Sequence, residues 1–140
     1  MRFLLILFLS SSLLLANAQS ADFETFGKAF KKAVVKKKYE KVADMMQFEF
    51  YSWDWGYYLG QGYGGFENRE EFLKVADEIF TKEVIALIKS EPYKKDEGLY
   101  DDSEESYILV FHRSDQSAAW LVFEQIAGEW KATMTDNVSM

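Results

Sequence analysis

Pro92 is the only proline in a chain of 140 residues, and the hydrophobic pattern changes period across it. Before it, apolar residues recur every three or four positions. After it, they recur every second position. The first pattern buries one stripe of a helix, and the second buries one face of a strand. Helices gathered in one half and strands in the other exclude a repeating strand–helix–strand order. They predict an α+β fold, with N-terminal helices packed on an antiparallel sheet.

In the first half, Phe23, Phe26, Phe30, Ala33 and Val34 share a helical face after Asp22, a residue suited to capping. Lys28, Lys31, Lys32 and Lys36 take the other face, and Lys36, Lys37 and Lys38 stand where cations suit the helix dipole. This lysine cluster reads either as a solvated face or as a surface for an anionic partner. Tyr39, Val42, Ala43 and Met46 predict a shorter second helix, and Phe48 and Phe50 a short strand. Asn68, with Glu71 three residues on, resembles a capping box ahead of a helix that buries Phe72, Val75 or Ala76, Ile79 and Phe80. Thr81 can cap a further helix with Val84, Ile85 and Ile88 inward.

In the second half, Tyr107–His112, Ala118–Gln125 and Trp130–Thr135 predict three consecutive antiparallel strands, and Leu99–Asp102 a shorter one. Both faces of the first two are apolar: Leu109, Phe111, Leu121 and Phe123 on one, Ile108, Val110, Trp120 and Val122 on the other. A sheet with one wet face should alternate apolar and polar residues. One apolar face receives the helices, and the other predicts a homodimer through the sheet. Lys131, Thr133 and Thr135 predict a polar face on the last strand.

Residues 1–18 read as a secretory signal peptide: Arg2, an apolar stretch from Phe3 to Leu15, and the small-x-small site Ala16-Asn17-Ala18. The apolar run is shorter than the ~20 residues needed to cross a membrane. Cleavage near Ala18 predicts an exported protein, periplasmic or extracellular, with one domain over residues 19–140 that is not membrane-embedded. The whole chain carries a net charge of −7, which disfavours nucleic acid as a partner. It has no cysteine, so the exported fold must hold by its core without disulfides.

Tyr51 to Phe66 reads YSWDWGYYLGQGYGGF, with five of the chain's eight glycines. No helix or strand period explains it. Glycines allow close backbone approach, and Trp and Tyr offer flat faces with one polar tip. The segment is either a lid over the protein's own core or a surface for a ligand. Trp53, Asp54, Trp55, Tyr57, Tyr58 and Tyr63 are the candidate ligand-binding residues.

Catalytic and metal chemistry find little footing. His112, the only histidine, lies beside Arg113 at a strand end, on the face away from the helices. Asp54 stands between Trp53 and Trp55 in the sequence; a carboxyl pressed against indole rings could have a raised pKa and serve as an acid or base, or it could cap a turn or simply face water. Asp101, Asp102, Glu104 and Glu105, near Asp96 and Glu97, lack the alternation of a calcium loop. Gly60, Gly62, Gly64 and Gly65 do not form a phosphate-binding motif. No catalytic residue, metal or cofactor is expected.

The stretches FGKAFKKAVVKKKYEKVADMMQFEF (26–50), NREEFLKVADEIFTKEVIALI (68–88) and WLVFEQIAGEWKATM (120–134) together resemble small exported bacterial members of the nuclear transport factor 2-like superfamily. The resemblance implies a curved sheet wrapped around the first helix into a cone, with a cavity at its open end and frequent dimerisation through the sheet. It does not imply one activity. The expected function is a non-enzymatic exported domain that binds a small molecule or glycan in the cone or along the aromatic segment. The alternatives are an isomerase- or hydrolase-type enzyme using Asp54 and cavity tyrosines, and a protein–protein interaction domain.

Overall fold

The computed structural model describes residues 23–52, 64–96, 105–114 and 117–139, with 51, 52, 64, 111–114, 117–120 and 134–139 described by their backbone alone. The expected leader (1–18), Asp22, the aromatic–glycine stretch 53–63, and Leu99–Asp102 lie outside these residues.

Helix α1 runs over residues 23–35, α2 over Tyr39–Asp44 and strand β1 over Met46–Ser52. A three-residue strand β2 (Gly64–Phe66) precedes α3 (Arg69–Ile79) and α4 (Lys82–Ser90). Then come β3 (Tyr93–Lys95), β4 (Tyr107–Ser114), β5 (Ser117–Ile126) and β6 (Glu129–Ser139). The α+β class expected from the period switch is therefore present. Among the described residues, no helix is long and apolar enough to cross a membrane.

The sheet is mixed, where an antiparallel one was expected. Its strands lie in the order β2-β1-β6-β5-β4-β3, and β1 runs parallel to β6. Periodicity shows which residues are strand but not which distant strand each will join. A parallel neighbour needs a long connection; here everything from β2 to β5 separates the pair. Strands β2 and β3 were also not foreseen, because three residues are too few to show alternation. Register shifts interrupt β1 against β6 and β6 against β5, the second between Val122 and Phe123. Such bulges bend strands.

Thr133 corrects the expected polar face of β6. It sits at the Val122/Phe123 shift and is only 8 % exposed. Its hydroxyl lies 2.5 Å from Glu124 Oε2. The bulge turns a residue that alternation sends to solvent into a buried hydrogen-bonding group.

The caps largely match expectation. Asn68 accepts from the Glu71 N–H at 3.0 Å, and Thr81 from the Val84 N–H at 3.3 Å. The capping box is displaced by one residue, since the Glu71 carboxylate accepts from Glu67 N–H rather than from that of Asn68. Phe72, Ala76, Ile79 and Phe80 are buried, as are Val84 and Ile88. They join Phe23, Phe30, Val34, Phe50, Leu109, Leu121 and Phe123 in one core on the helix side of the sheet. Ile108 and Val122, paired across β4 and β5, are buried outside that core cluster.

Candidate functional site

The six residues expected to meet a ligand, Trp53, Asp54, Trp55, Tyr57, Tyr58 and Tyr63, all fall in the undescribed stretch. His112 stands opposite Ala118 in the β4–β5 ladder, and its side chain is not among those described. Of the acidic run, Asp96 and Glu105 are described. Asp96 is buried and accepts from the Ser106 hydroxyl at 3.0 Å, while its own N–H donates to Ser106 O at 2.9 Å. Asp96 thus ties the start of the β3–β4 connection to its end. Among the described residues, no group of three or more His, Cys, Asp or Glu side chains could hold a metal ion.

The structure instead puts a cleft where α1, the end of α2 and the β5–β6 hairpin meet. Phe26 comes from α1, about one turn from both Phe23 and Phe30. It is partly buried against the core. Met45 ends α2 and passes the chain to β1, and Ala132 N–H donates to Met45 O at 2.8 Å, seating β6 beside that junction. Lys131 donates to Asp44 O at 2.7 Å, a cation on the open carbonyl end of α2. The hairpin turns through Ala127 and Gly128 at φ 51° and 82°, the left-handed pair that a two-residue turn between twisted strands requires. That turn places Glu129, Trp130 and Lys131 at the rim.

Together Phe26, Asp44, Met45, Gly128, Glu129, Trp130 and Lys131 line a cleft of about 270 Å³. Its carboxylates are already paired: Asp44 with Arg69, which also grips Glu40, and Glu129 with Lys131 at 3.8 Å. The Glu40 and Asp44 carboxylates hold the Arg69 guanidinium above its ordinary pKa.

Trp130 is the unusual member. It is 4 % exposed, with its ring edge-on to Phe23 at 4.8 Å and to Tyr107 at 5.5 Å. Its indole N–H is buried and has no hydrogen-bond partner; no other buried side-chain nitrogen or oxygen among the described residues is left so. Alternation marked Trp130 only as a core residue of β6. A tryptophan two positions past a turn glycine, at the hairpin's second rung opposite Gln125, was the available signal.

A second cleft of about 250 Å³ lies between α1 and α2, and Met45 lines both. Its other walls are Ala29, Ala33, Lys32, Lys36, Lys38 and Lys41. A third, also of about 250 Å³, lies among Gly65, Phe66, Glu71, Lys74 and Val75.

Burial pushes the Tyr93 phenol well above its ordinary pKa. Its hydroxyl donates to Gly27 O at 2.7 Å, and the Lys31 ammonium lies 4.7 Å from its ring centre. Burial, with the Asp77 carboxylate beside its hydroxyl, raises Tyr39 to about 12. Both phenols are structural: Tyr93 fastens β3 to α1, and Tyr39 fastens α2 to α3 through Asp77 at 3.0 Å.

No family model matches this chain, and no curated protein or solved structure is significantly similar to it.

Proposed function

We propose that this chain is an exported, non-catalytic ligand-binding domain of the nuclear transport factor 2-like kind, and that it takes a single sugar ring or a similarly compact amphipathic molecule beside Trp130. The fold part of this reading is supported by the first helix lying on one face of a six-stranded sheet with bulges in β1 and β6. Export is supported by the leader-like pattern of residues 1–18.

The observation that carries the binding part is the orphaned indole N–H of Trp130, a residue that lines the 270 Å³ cleft. A buried donor without an acceptor costs about 1–3 kcal/mol. A ligand oxygen that accepts from it recovers part of that cost, so binding and stability rise together. Phe26, Met45 and Trp130 suit a ring face, while Asp44, Glu129 and Lys131 suit hydroxyls at its edge. Drug-sized ligands occupy pockets of about 300–1,000 Å³, so this cleft suits one ring rather than a chain of them. The pairing of both carboxylates with cations fits positioning better than proton transfer.

The test is the set of tryptophan indole N–H signals in a nitrogen-15 spectrum, with Trp130 assigned from its loss in Trp130→Phe. Titration with a panel of mono- and disaccharides and small polyols should move that signal saturably for at least one compound. The same compound should raise the melting temperature, and Trp130→Phe should bind it at least tenfold more weakly. A panel that leaves the Trp130 signal still, or a variant that binds as well as the parent, removes this reading. Pairing of two copies through the face that carries Ile108 and Val122 belongs to the same proposal. A monomeric mass by light scattering at micromolar concentration would remove that part alone.

A further inference from the structure

We infer that the cleft between α1 and α2 is a separate anion site, built to hold a phosphate group. Lys32, Lys36, Lys38 and Lys41 converge on it, over a floor of Ala29, Ala33 and Met45.

The lysines there are uncompensated. Every carboxylate of α1 and α2 is engaged elsewhere, Glu24 with Lys28 and both Glu40 and Asp44 with Arg69, and Asp77 of α3 is held by Lys37 and Tyr39. None of the four cleft lysines forms an ion pair among the described residues. Helix dipoles do not account for them. Each helix C-terminus carries about half a negative charge, so two such ends balance about one lysine, not four. All this occurs in a chain whose net charge is −7.

The backbone at the site explains how these lysines meet. Helix α1 ends with Lys38 N–H donating to Ala33 O at 2.9 Å and Lys37 N–H to Val34 O at 2.9 Å, with Lys37 at φ 53°. That is a Schellman ending, whose left-handed position normally belongs to glycine. Here it holds the middle of three consecutive lysines. The strained turn delivers Lys36 and Lys38 to one cleft.

Phosphate fits this lining better than a planar carboxylate. Lysine acts as a point charge with rotatable donors, whereas carboxylate recognition favours the flat fork of arginine, and no arginine lines the cleft. A compact phosphate presents up to two charges and several acceptor oxygens to converging ammonium groups. The alanine and methionine floor leaves room for a small apolar portion. Two sources share this chemistry, a soluble phosphate ester and the headgroup of an anionic lipid.

The experiment compares the mature chain with two triple variants of equal charge change. One is Lys32→Gln/Lys38→Gln/Lys41→Gln. The control is Lys82→Gln/Lys89→Gln/Lys94→Gln, three exposed lysines away from the cleft. Glycerol 3-phosphate and pyrophosphate are titrated by calorimetry in low and moderate salt, and vesicles of phosphatidylcholine with and without phosphatidylglycerol are used in cosedimentation. The parent and the control should bind alike, and the cleft variant at least tenfold more weakly, with unfolding midpoints unchanged in all three. Binding of the soluble phosphates identifies a small-molecule source, and binding to anionic vesicles alone identifies a lipid headgroup. Equal weakening in both variants, or no binding by the parent in either arm, overturns the inference. Because Trp130 stays intact in both variants, loss here leaves the sugar-site reading standing.

Discussion

The two faces of α1 have opposite fates. Inward, Phe23 stacks on Tyr107 with ring centres 3.7 Å apart, and Phe30 meets Phe123 edge-on at 5.1 Å. Outward, the same helix carries Lys32 and Lys36 into a cleft where they meet no carboxylate. One face is close-packed and tolerates no change of shape. The other is solvated, and its substitutions should barely register in stability. One helix therefore separates what folds the chain from what it presents, and substitution effects should divide along that line.

The largest effect belongs to the packed face. Phe123 is 0 % exposed and has ring contacts with Phe23, Phe26, Phe30 and Tyr93 at 5.1–6.0 Å. Phe123→Ala should cost about 3–5 kcal/mol in denaturant unfolding. Lys32→Ala, on the other side of the helix, should stay within about 0.5 kcal/mol of the parent. Comparable losses for the two would break the comparison at its root.

A gentler probe on the inner face is Gly27→Ala. A Cβ at Gly27 would lie 2.7 Å from a Tyr93 ring carbon. That ring cannot easily yield, being held by its hydrogen bond to Gly27 O and by its edge contacts with Phe23 and Phe123. Overpacking costs about 1–3 kcal/mol, against the ~1 kcal/mol that alanine gains over glycine in a helix. The net should be a loss of about 1 kcal/mol. In a Tyr93→Leu background the obstacle shrinks, and the same substitution should become neutral or stabilising. A loss that persists there would assign the cost to something other than ring contact.

This contrast also shows how much the sequence could reveal. Periodicity located α1, α3 and α4 and their buried residues, because amphipathic spacing is a local property. Asn68 and Thr81 announced helix starts, because a cap is read from neighbours. The parallel pairing of β1 with β6 was hidden, since it depends on where a distant strand lands. Thr133 was misread because one extra residue reverses alternation. The cleft beside Trp130 joins residues from three elements, so no single window of sequence displayed it. The four lysines were visible one by one, but Lys41 comes from another helix, and only the turn at Lys37 brings it to the rest.

The pH dependence sharpens the same division. Burial raises the pKa of Tyr93, and burial with the Glu105 carboxylate raises that of Tyr107. A phenol with a higher pKa folded than unfolded stabilises fully below its unfolded value, near 10. That stability is lost as pH climbs through the folded value. Lys31 acts in the opposite sense, since burial lowers its pKa and its lost proton favours the fold as pH rises. Stability should therefore fall above about pH 10, and Tyr93→Phe should flatten that fall. An identical alkaline profile in the two proteins would show that Tyr93 does not titrate with unfolding.

The smallest effect tests the outer face itself. Lys37 adopts φ 53° at the end of α1, and its ammonium lies 3.2 Å from Asp77 Oδ1. The left-handed conformation costs a non-glycine residue about 1–2 kcal/mol. Glycine there avoids that strain but loses about 0.5–1 kcal/mol through the freedom of the unfolded chain. Lys37→Gly should therefore stabilise the fold by roughly 0.5 kcal/mol, with the exposed Asp77 contact taking back part of the gain. Lys37 does not line the cleft, so phosphate binding should change little. A variant that gains stability while holding its ligand would show that the turn shape, rather than the lysine within it, serves the site. A variant that loses stability would mean that the Asp77 bridge outweighs backbone strain, and that the outer face contributes to folding after all.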